Sequence, residues 1–160
     1  MKEQKFYICK HCGNLVAMVN ESGVPLICCG EEMHELVPGT VDAAVEKHVP
    51  VYKAEGNKVT VEVGSVEHPM LPEHYIQWIW LKTKFGGQLA KLKPETKPEA
   101  VFALADGDEV EAVYEYCNLH GLWRAQLSTK TLKNRRIRTC GSADFCKQLI
   151  SVQALHPQVS

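Results

Sequence analysis

Four cysteines near the N-terminus limit what the first part of this chain can fold into. They follow the pattern Cys9-x-x-Cys12, then a gap of fifteen residues, then the adjacent pair Cys28-Cys29. Four thiolates bind a tetrahedral zinc or iron ion well. A segment of fewer than about 40 residues rarely buries enough apolar surface to fold alone. We therefore expect residues 1–37 to form a small unit that a metal ion or a partner subunit stabilises.

The adjacent cysteine pair is the unusual part of this pattern. Side chains of neighbouring residues tend to point apart, so Cys28 and Cys29 reach one metal ion only if the backbone between them is distorted. Gly13, directly after the CxxC, permits the backbone angles that a tight metal-binding turn needs. Two alternatives to an iron site stay open at this point, namely a structural zinc site and free thiols beside an incidental CxxC.

The cysteine count and the N-terminal residues bear on the compartment. The chain of 160 residues has seven cysteines, an odd number that excludes complete disulfide pairing within one chain. It begins with the charged stretch Met1-Lys2-Glu3-Gln4-Lys5 rather than with an apolar signal segment. No apolar run approaches the about 20 residues that span a bilayer. We expect a cytoplasmic protein whose CxxC binds metal.

The region after the cysteines has the pattern of a β-sandwich. Val59, Val61 and Val63 alternate with polar residues, which is the period of a half-buried strand. Gly86-Gly87 suits a tight hairpin turn. Further strands are predicted for residues 75–83, 101–105 and 110–116. Many short strands separated by turns are typical of a sandwich.

Histidines and one further cysteine lie in the loops between these predicted strands. His48 is in the first loop, and His68 and His74 sit together between two strands. The segment Cys117-Asn118-Leu119-His120 follows the last long strand. We expect these loops to meet at one end of the sandwich. Four imidazoles with a single thiolate are typical of redox iron: the neutral rings leave a ferrous site positive, and the thiolate pushes electron density onto a bound oxygen species.

Five segments of the chain resemble the desulfoferrodoxins, the two-iron superoxide reductases, over about residues 1–124. The segments are the four cysteines above, Glu46-Lys47-His48-Val49-Pro50, Glu67-His68-Pro69-Met70, His74-Tyr75-Ile76 and Cys117-Asn118-Leu119-His120-Gly121-Leu122-Trp123. The resemblance implies a mostly β protein. It implies a desulforedoxin-like, rubredoxin-type metal-binding domain at residues 1–37 and an Ig-like catalytic β-sandwich at residues 38–124.

The same resemblance implies two iron ions per chain. The first, an Fe(Cys)4 centre, would be held by Cys9, Cys12, Cys28 and Cys29. The second, an Fe(His)4(Cys) centre, would be held by His48, His68, His74 and His120, with Cys117 as the axial ligand. Lys47 is the candidate for attracting superoxide and for polarising a water that delivers a proton. Glu46 resembles the mobile carboxylate of the family.

The implied activity is that of a superoxide reductase. Such an enzyme reduces superoxide by one electron to hydrogen peroxide, with electrons from an external donor such as a rubredoxin-like protein or another reductase. We expect a homodimer that serves in superoxide detoxification, with no membrane partner and no nucleic acid. The alternative is a rubredoxin-like electron-transfer protein without oxygen chemistry. A zinc-stabilised binding module is the third hypothesis, and iron content separates it from the other two.

The last part of the chain, residues 125–160, differs in composition from what precedes it. It contains six Lys and Arg residues and one Asp, whereas residues 1–124 contain twelve Lys and Arg against eighteen Asp and Glu. The basic run Lys133 to Arg138 is typical of solvated surface, because no nucleic-acid recognition motif accompanies it. Cys140 and Cys146 match no family segment, and we interpret them as spare thiols. Residues 125–160 are therefore predicted to be an atypical basic extension. We expect that its deletion leaves both metal centres intact.

Overall fold

We describe the protein from a computed structural model, for residues 3–41 and 43–125. The predictions made for residues 126–160 lie outside these described residues. Strands dominate the fold, and the single described helix, α1, is the short segment Val45–His48. Among the described residues, no helix is both long enough and apolar enough to cross a membrane. The prediction of a mostly β protein is confirmed.

The N-terminal part consists of short antiparallel strands. They are β1 (Phe6–Ile8), β2 (Leu15–Ala17), β3 (Ile27–Cys28), β4 (Glu31–Glu32) and β5 (His34–Glu35). One sheet has the order β2-β1-β5, and β3 pairs with β4 as a separate hairpin. The paired cysteines thus lie at the end of a hairpin strand, while the CxxC follows β1.

The remaining strands form two antiparallel sheets. They are β6 (Pro50–Glu55), β7 (Lys58–Val63), β8 (Ile76–Thr83), β9 (Gly87–Lys91), β10 (Glu99–Ala103), β11 (Val110–Cys117) and β12 (Gly121–Arg124). The first sheet has the order β10-β7-β6, and the second has the order β12-β11-β8-β9. Seven strands divided between two packed sheets are the layout of an Ig-like sandwich.

The core of the sandwich lies between the inner faces of the two sheets. Val59, Val61 and Val63 of β7 are buried, as their alternation in the sequence predicts. They belong to one buried cluster with Ile79 of β8 and Val113 of β11. Apolar burial of this kind stabilises by about 25 cal/mol per Å², so this core contributes to holding the two sheets together.

The outer face of the four-stranded sheet is also covered, because β1 packs on it. The ring centroid of Phe6 lies 5.2 Å from that of Trp78 and 5.4 Å from that of Tyr114. Phe6 is only 1% exposed. The N-terminal strands therefore use the sandwich as part of their core, a source of stability that was not predicted from the sequence. The domain boundary between residues 37 and 38 stays a prediction.

Candidate metal centres

The four N-terminal cysteines converge in the structure. Their Sγ atoms all lie within 4.8 Å of one another. The distance is 3.6 Å between the Sγ atoms of Cys12 and Cys28, and 4.0 Å between those of Cys28 and Cys29. A tetrahedral ion with metal–sulfur bonds of about 2.3 Å has sulfurs about 3.8 Å apart. The four-cysteine group therefore has the dimensions of a tetrahedral thiolate site.

The backbone at Cys29 explains how two adjacent cysteines reach one group. Cys29 has a φ of 53° and Gly30 a φ of 83°. These two residues connect β3 to β4, and a two-residue hairpin turn with positive φ at both central positions is the type I′ turn. Because Cys29 lies in the left-handed region, its side chain turns to the same side as that of Cys28. The distortion expected from the sequence is thus confined to one turn.

The four-cysteine group has one buried side and one exposed side. Cys9 is 4% exposed, whereas Cys12 and Cys29 are classed as exposed. The backbone amide of Cys12 lowers the pKa of the Cys9 thiol to about 7, and the neighbouring thiols, Cys12 first, raise the pKa of Cys29 to about 12. Thiolates this close repel each other, so the group ionises fully only with a cation to replace the protons.

The second group brings together residues from four parts of the chain. His48 ends α1, and His68 and His74 lie in the β7–β8 connection. Cys117 is the last residue of β11, and His120 follows in the connection to β12. One donor atom from each of the five residues lies within 4.8 Å of all the others. The five residues that the sequence predicted to meet thus lie together, and we call them the five-donor group.

The hydrogen bonds of two histidines show that the five-donor group fits a metal ion. Nδ1 of His48 lies 2.8 Å from the Ala44 carbonyl, and Nδ1 of His68 lies 2.5 Å from the Pro69 carbonyl. Each neutral ring therefore donates from Nδ1 and keeps a lone pair on Nε2. The two Nε2 atoms are 3.1 Å apart. Two lone pairs facing each other at this distance need a cation between them.

The remaining imidazoles complete this arrangement. Nδ1 of His120 lies 3.0 Å from Nε2 of His48. Nε2 of His74 is buried and has no hydrogen-bond partner among the described residues. Burial lowers the pKa of His48 and of His74, and it lowers the pKa of His68 to about 4. These three rings are therefore neutral near pH 7, which is the form that binds metal.

Cys117 is a fully buried member of the five-donor group. Its Sγ is 3.6 Å from Nδ1 of His120. Burial raises the pKa of this thiol, and the backbone amides of Leu119 and His120 act in the opposite direction. A β-bulge helps to place it, since Cys117 pairs with Ile76 while the preceding residue pairs with Trp78. Bulges of this kind re-aim a strand at its end.

Asn118 is a positioning residue that the sequence did not single out. Its Nδ2 donates to the Glu73 carbonyl at 2.8 Å, and its Oδ1 accepts from the Tyr75 amide at 2.9 Å. Its own backbone amide donates to the Tyr75 carbonyl at 3.2 Å. Three hydrogen bonds thus tie both neighbours of His74 to the residue after Cys117. The only signal in the sequence is its place between two predicted ligands.

Trp123 is a second positioning residue that the sequence did not single out. Its ring stacks on His48 at a centroid distance of 4.9 Å and an angle of 23°. Its Nε1 donates to the His120 carbonyl at 3.0 Å. Opposite it on β11 lies Glu115, whose two buried carboxylate oxygens have no hydrogen-bond partner among the described residues. Burial accordingly raises the pKa of Glu115 well above its usual range.

Lys47 and Glu46 lie beside the five-donor group without belonging to it. Lys47 is half-buried and lines a cavity of about 570 Å³ together with His68 and Lys97. After burial and the neighbouring imidazoles, its charge is a further cause of the low pKa of His74. Glu46 is exposed, and its backbone carbonyl accepts hydrogen bonds from the next loop. Of the two charges, the Lys47 ammonium is the one that acts on the imidazoles, since after burial it also helps to lower the pKa of His48.

The fold and the two groups define a β protein with a thiolate metal site and a histidine-rich metal site. Residues 40–126 match the family model described as desulfoferrodoxin, and residues 1–36 match the model of the desulfoferrodoxin N-terminal domain. This chain belongs to the desulfoferrodoxin family. The two groups of side chains able to hold metal ions are consistent with two iron sites per chain.

Three known proteins illustrate the similarity. The desulfoferrodoxin of Clostridium acetobutylicum is 46% identical over 121 residues, which cover 76% of this chain and 94% of that protein. The superoxide reductase of Pyrococcus horikoshii is 39% identical over 99 residues, 51% of this chain and 86% of that protein. The crystal structure of the superoxide reductase from Treponema pallidum aligns with a TM-score of 0.67 and 45% identity, covering 78% of this chain and all of that one.

Proposed function

We propose that this protein is a superoxide reductase that reduces superoxide by one electron to hydrogen peroxide. The observation that carries the proposal is the five-donor group, in which two imidazole lone pairs face each other at 3.1 Å and a buried thiol lies within 4.8 Å of them. Membership of the family and the similarity to the Treponema pallidum and Pyrococcus horikoshii superoxide reductases support it. We assign His48, His68, His74, His120 and Cys117 as the ligands of a ferrous ion.

Each side chain of the site would have a separate role in this reaction. Iron in the five-donor group would supply the electron and a place for the anion to bind. The neutral histidines keep the site net positive, and Lys47 adds a charge that attracts superoxide through the adjoining cavity. Lys47 would also hold, at Nζ, the water that delivers a proton. Glu46 would bring its carboxylate to the site once the product has formed.

The electrons are proposed to come from an external one-electron donor, such as a rubredoxin-like protein or another reductase. Each turnover consumes one superoxide, one electron and two protons, and it releases one hydrogen peroxide. We further propose that Cys9, Cys12, Cys28 and Cys29 hold the second iron. A homodimer in the cytoplasm, serving superoxide detoxification, is the expected setting and stays a prediction from the sequence.

The stoichiometry of products tests the proposal. Protein made with adequate iron should contain two irons per chain, and the fully reduced protein should release one hydrogen peroxide per superoxide consumed, with no oxygen evolved. A dismutase would release half as much peroxide together with oxygen. Zinc in both sites of native protein, or oxygen evolution, would overturn the assignment.

A rubredoxin-like electron carrier is the second candidate, because Cys12 and Cys29 are exposed at the surface where a redox partner would dock. This candidate predicts that reduced protein does not react with superoxide at the five-donor group. Rapid mixing of the reduced protein with a pulse of superoxide therefore separates the two functions, since only a reductase would gain the thiolate-to-iron absorption of an oxidised five-donor centre.

A further inference from the structure

We propose that the contacting rings of Phe6, Trp78 and Tyr116 carry electrons from the four-cysteine group to the five-donor group of the same chain. We call these three rings the aromatic column. The proposal rests on the proposed function, because it supplies the electron that superoxide reduction consumes. The observations that carry it are ring contacts, burial and the charges of the two donor sets.

The aromatic column begins at the five-donor group. Tyr116 is bonded directly to Cys117, and the two side chains lie on opposite faces of β11. The Tyr116 ring stacks on Trp78 with a centroid distance of 5.4 Å and an angle of only 6°. Trp78 in turn contacts Phe6 at 5.2 Å. A continuous series of π systems thus leads away from the thiolate on the outer face of the sheet.

The other end of the aromatic column, Phe6, is linked to the four-cysteine group through the backbone of β1. Phe6 starts β1, and β1 runs directly into Cys9. Phe6 is 1% exposed and Cys9 is 4% exposed, so this end is shielded from water. The opposite side of the four-cysteine group, with Cys12 and Cys29, faces solvent. An electron could therefore enter from a docked donor on the exposed side and leave through the buried side.

The CxxC turn and the aromatic column line the same cavity. It has a volume of about 340 Å³, with Gly13 of the CxxC turn on one wall. Trp78 and Tyr116 are among the residues that line the same cavity. The turn that holds two of the thiols and the rings of the aromatic column thus line one cavity.

The charges of the two donor sets give the direction of transfer. A ferrous ion of charge +2 with four thiolates carries a net −2, and with four neutral imidazoles and one thiolate it carries a net +1. The negative set favours the loss of an electron and the positive set favours its gain, since net charge is one of the factors that set a reduction potential. After superoxide has taken an electron from the five-donor centre, the four-cysteine centre replaces it and is itself re-reduced by the external donor.

Pulsed superoxide on the fully reduced two-iron protein tests this route. A substoichiometric pulse should oxidise the five-donor centre in a first phase. In a second phase that centre should be reduced again while the thiolate-to-iron band of the four-cysteine centre appears. The rate of the second phase should be independent of protein concentration. A rate that rises in proportion to protein concentration would mean transfer between molecules and would overturn the proposal. Transfer between the two subunits of a homodimer would also be independent of concentration, and it would overturn the proposal by leaving the rate unchanged in the variants below.

Variants of the aromatic column test whether the electron passes through it. Trp78→Leu and Tyr116→Leu should slow the second phase by about tenfold or more, which corresponds to about 1.4 kcal/mol of barrier per factor of ten. Trp78→Phe and Tyr116→Phe keep an aromatic ring and should retain most of the rate. Trp80→Leu is the matched control, because Trp80 contacts Phe6 at 5.7 Å but lies off the aromatic column.

The outcomes of this experiment are separable. Loss of the first phase in the unmodified protein would contradict the proposed function, whereas an intact first phase with no second phase would contradict only the aromatic column. Equal rates of the second phase in the Leu and Phe variants would also contradict only the aromatic column. Redox titration should give unchanged reduction potentials in every variant, and a slowing explained by shifted potentials would also overturn the proposal.

Discussion

At the scale of single residues, Asn118 helps to anchor the segment that carries His74, one of the proposed ligands. Its amide group bonds to the residues on both sides of His74. Removing the amide leaves a backbone donor and a backbone acceptor without partners. The bond to the Tyr75 amide is partly buried and the bond to the Glu73 carbonyl is exposed, so we expect a cost of about 1 kcal/mol. His74 keeps its two backbone hydrogen bonds to Leu71, and Asn118 adds to the anchoring of this segment.

Asn118→Ala should therefore weaken iron binding at the five-donor group and lower the free energy of unfolding. Asn118→Asp should do the same to a smaller extent, because a carboxylate still accepts from the Tyr75 amide but cannot donate to the Glu73 carbonyl. Iron content and chemical denaturation would measure both effects. The control is Asn57→Ala, which removes an exposed hydrogen bond to Asp106. Equal losses in the two alanine variants would contradict a local role for Asn118.

Cys117→Ser should abolish superoxide reduction. A hydroxyl is a poorer donor than a thiolate and does not ionise near neutral pH, so the electron-rich ligand is lost. The charge-transfer spectrum of the four-cysteine centre should stay intact in the same variant and serves as the internal control. Activity near that of the unmodified protein would show that Cys117 is not a ligand.

Lys47→Ala and Glu46→Ala should affect different steps. Removing the ammonium group should slow the encounter with superoxide by about tenfold, or about 1.4 kcal/mol of barrier, and weaken its dependence on ionic strength. Removing the carboxylate should leave the encounter unchanged and alter the later ferric spectrum. Rapid mixing over a range of salt concentrations follows both steps. The assignment fails if Glu46→Ala slows the first step and Lys47→Ala does not.

At the scale of elements, the turn after β7 holds α1 in place. The Ser65 and Val66 amides donate to the Glu46 carbonyl at 2.8 and 3.1 Å. Gly64 has a φ of +81°, and a Cβ atom there would lie 2.5 Å from the Val66 carbonyl oxygen and 2.6 Å from that of Lys47. Only glycine allows these two segments to approach so closely.

Gly64→Ala should consequently displace the segment that carries Lys47 and His48. We expect a loss of stability of about 1–3 kcal/mol from strain, together with weaker iron binding at the five-donor group. Gly56→Ala is the matched control, because Gly56 also has a positive φ, +59°, but nothing lies within 4 Å of its added Cβ. Thermal unfolding and iron analysis of the two variants separate general backbone strain from displacement of the site.

The elements also show what the sequence can and cannot predict. The alternation in β7 and the Gly-Gly hairpin between β8 and β9 were predictable, because local pattern determines both. The strand β6 was not predicted, because it lies at a sheet edge and most of its residues are exposed. The partners of Asn118 and Trp123 were not predictable either, since they depend on which loops meet. The side chains of Cys28 and Cys29 point to the same side because Cys29 has a positive φ angle. The sequence pattern did not predict this angle.

At the scale of the whole molecule, Ala125 marks where the described fold ends. It is 3% exposed, and its amide donates to the Val113 carbonyl at 2.8 Å. A chain ending at Ala125 should therefore keep both metal centres and the unfolding free energy of the full-length protein. Iron content, visible absorbance and denaturation of the two proteins test this. Loss of either centre would assign residues 126–160 a role in metal binding.

The covered outer face of the second sheet limits how the protein can be divided. A sandwich expressed without residues 1–37 would expose Trp78, Tyr114 and Leu122, which Phe6 and its neighbours now bury. Contiguous exposed aromatic surface of this kind promotes association. Residues 1–37 and the sandwich are therefore not interchangeable modules. A lineage that discards residues 1–37 would have to substitute polar residues for these apolar side chains, or else recruit another protein to shield them.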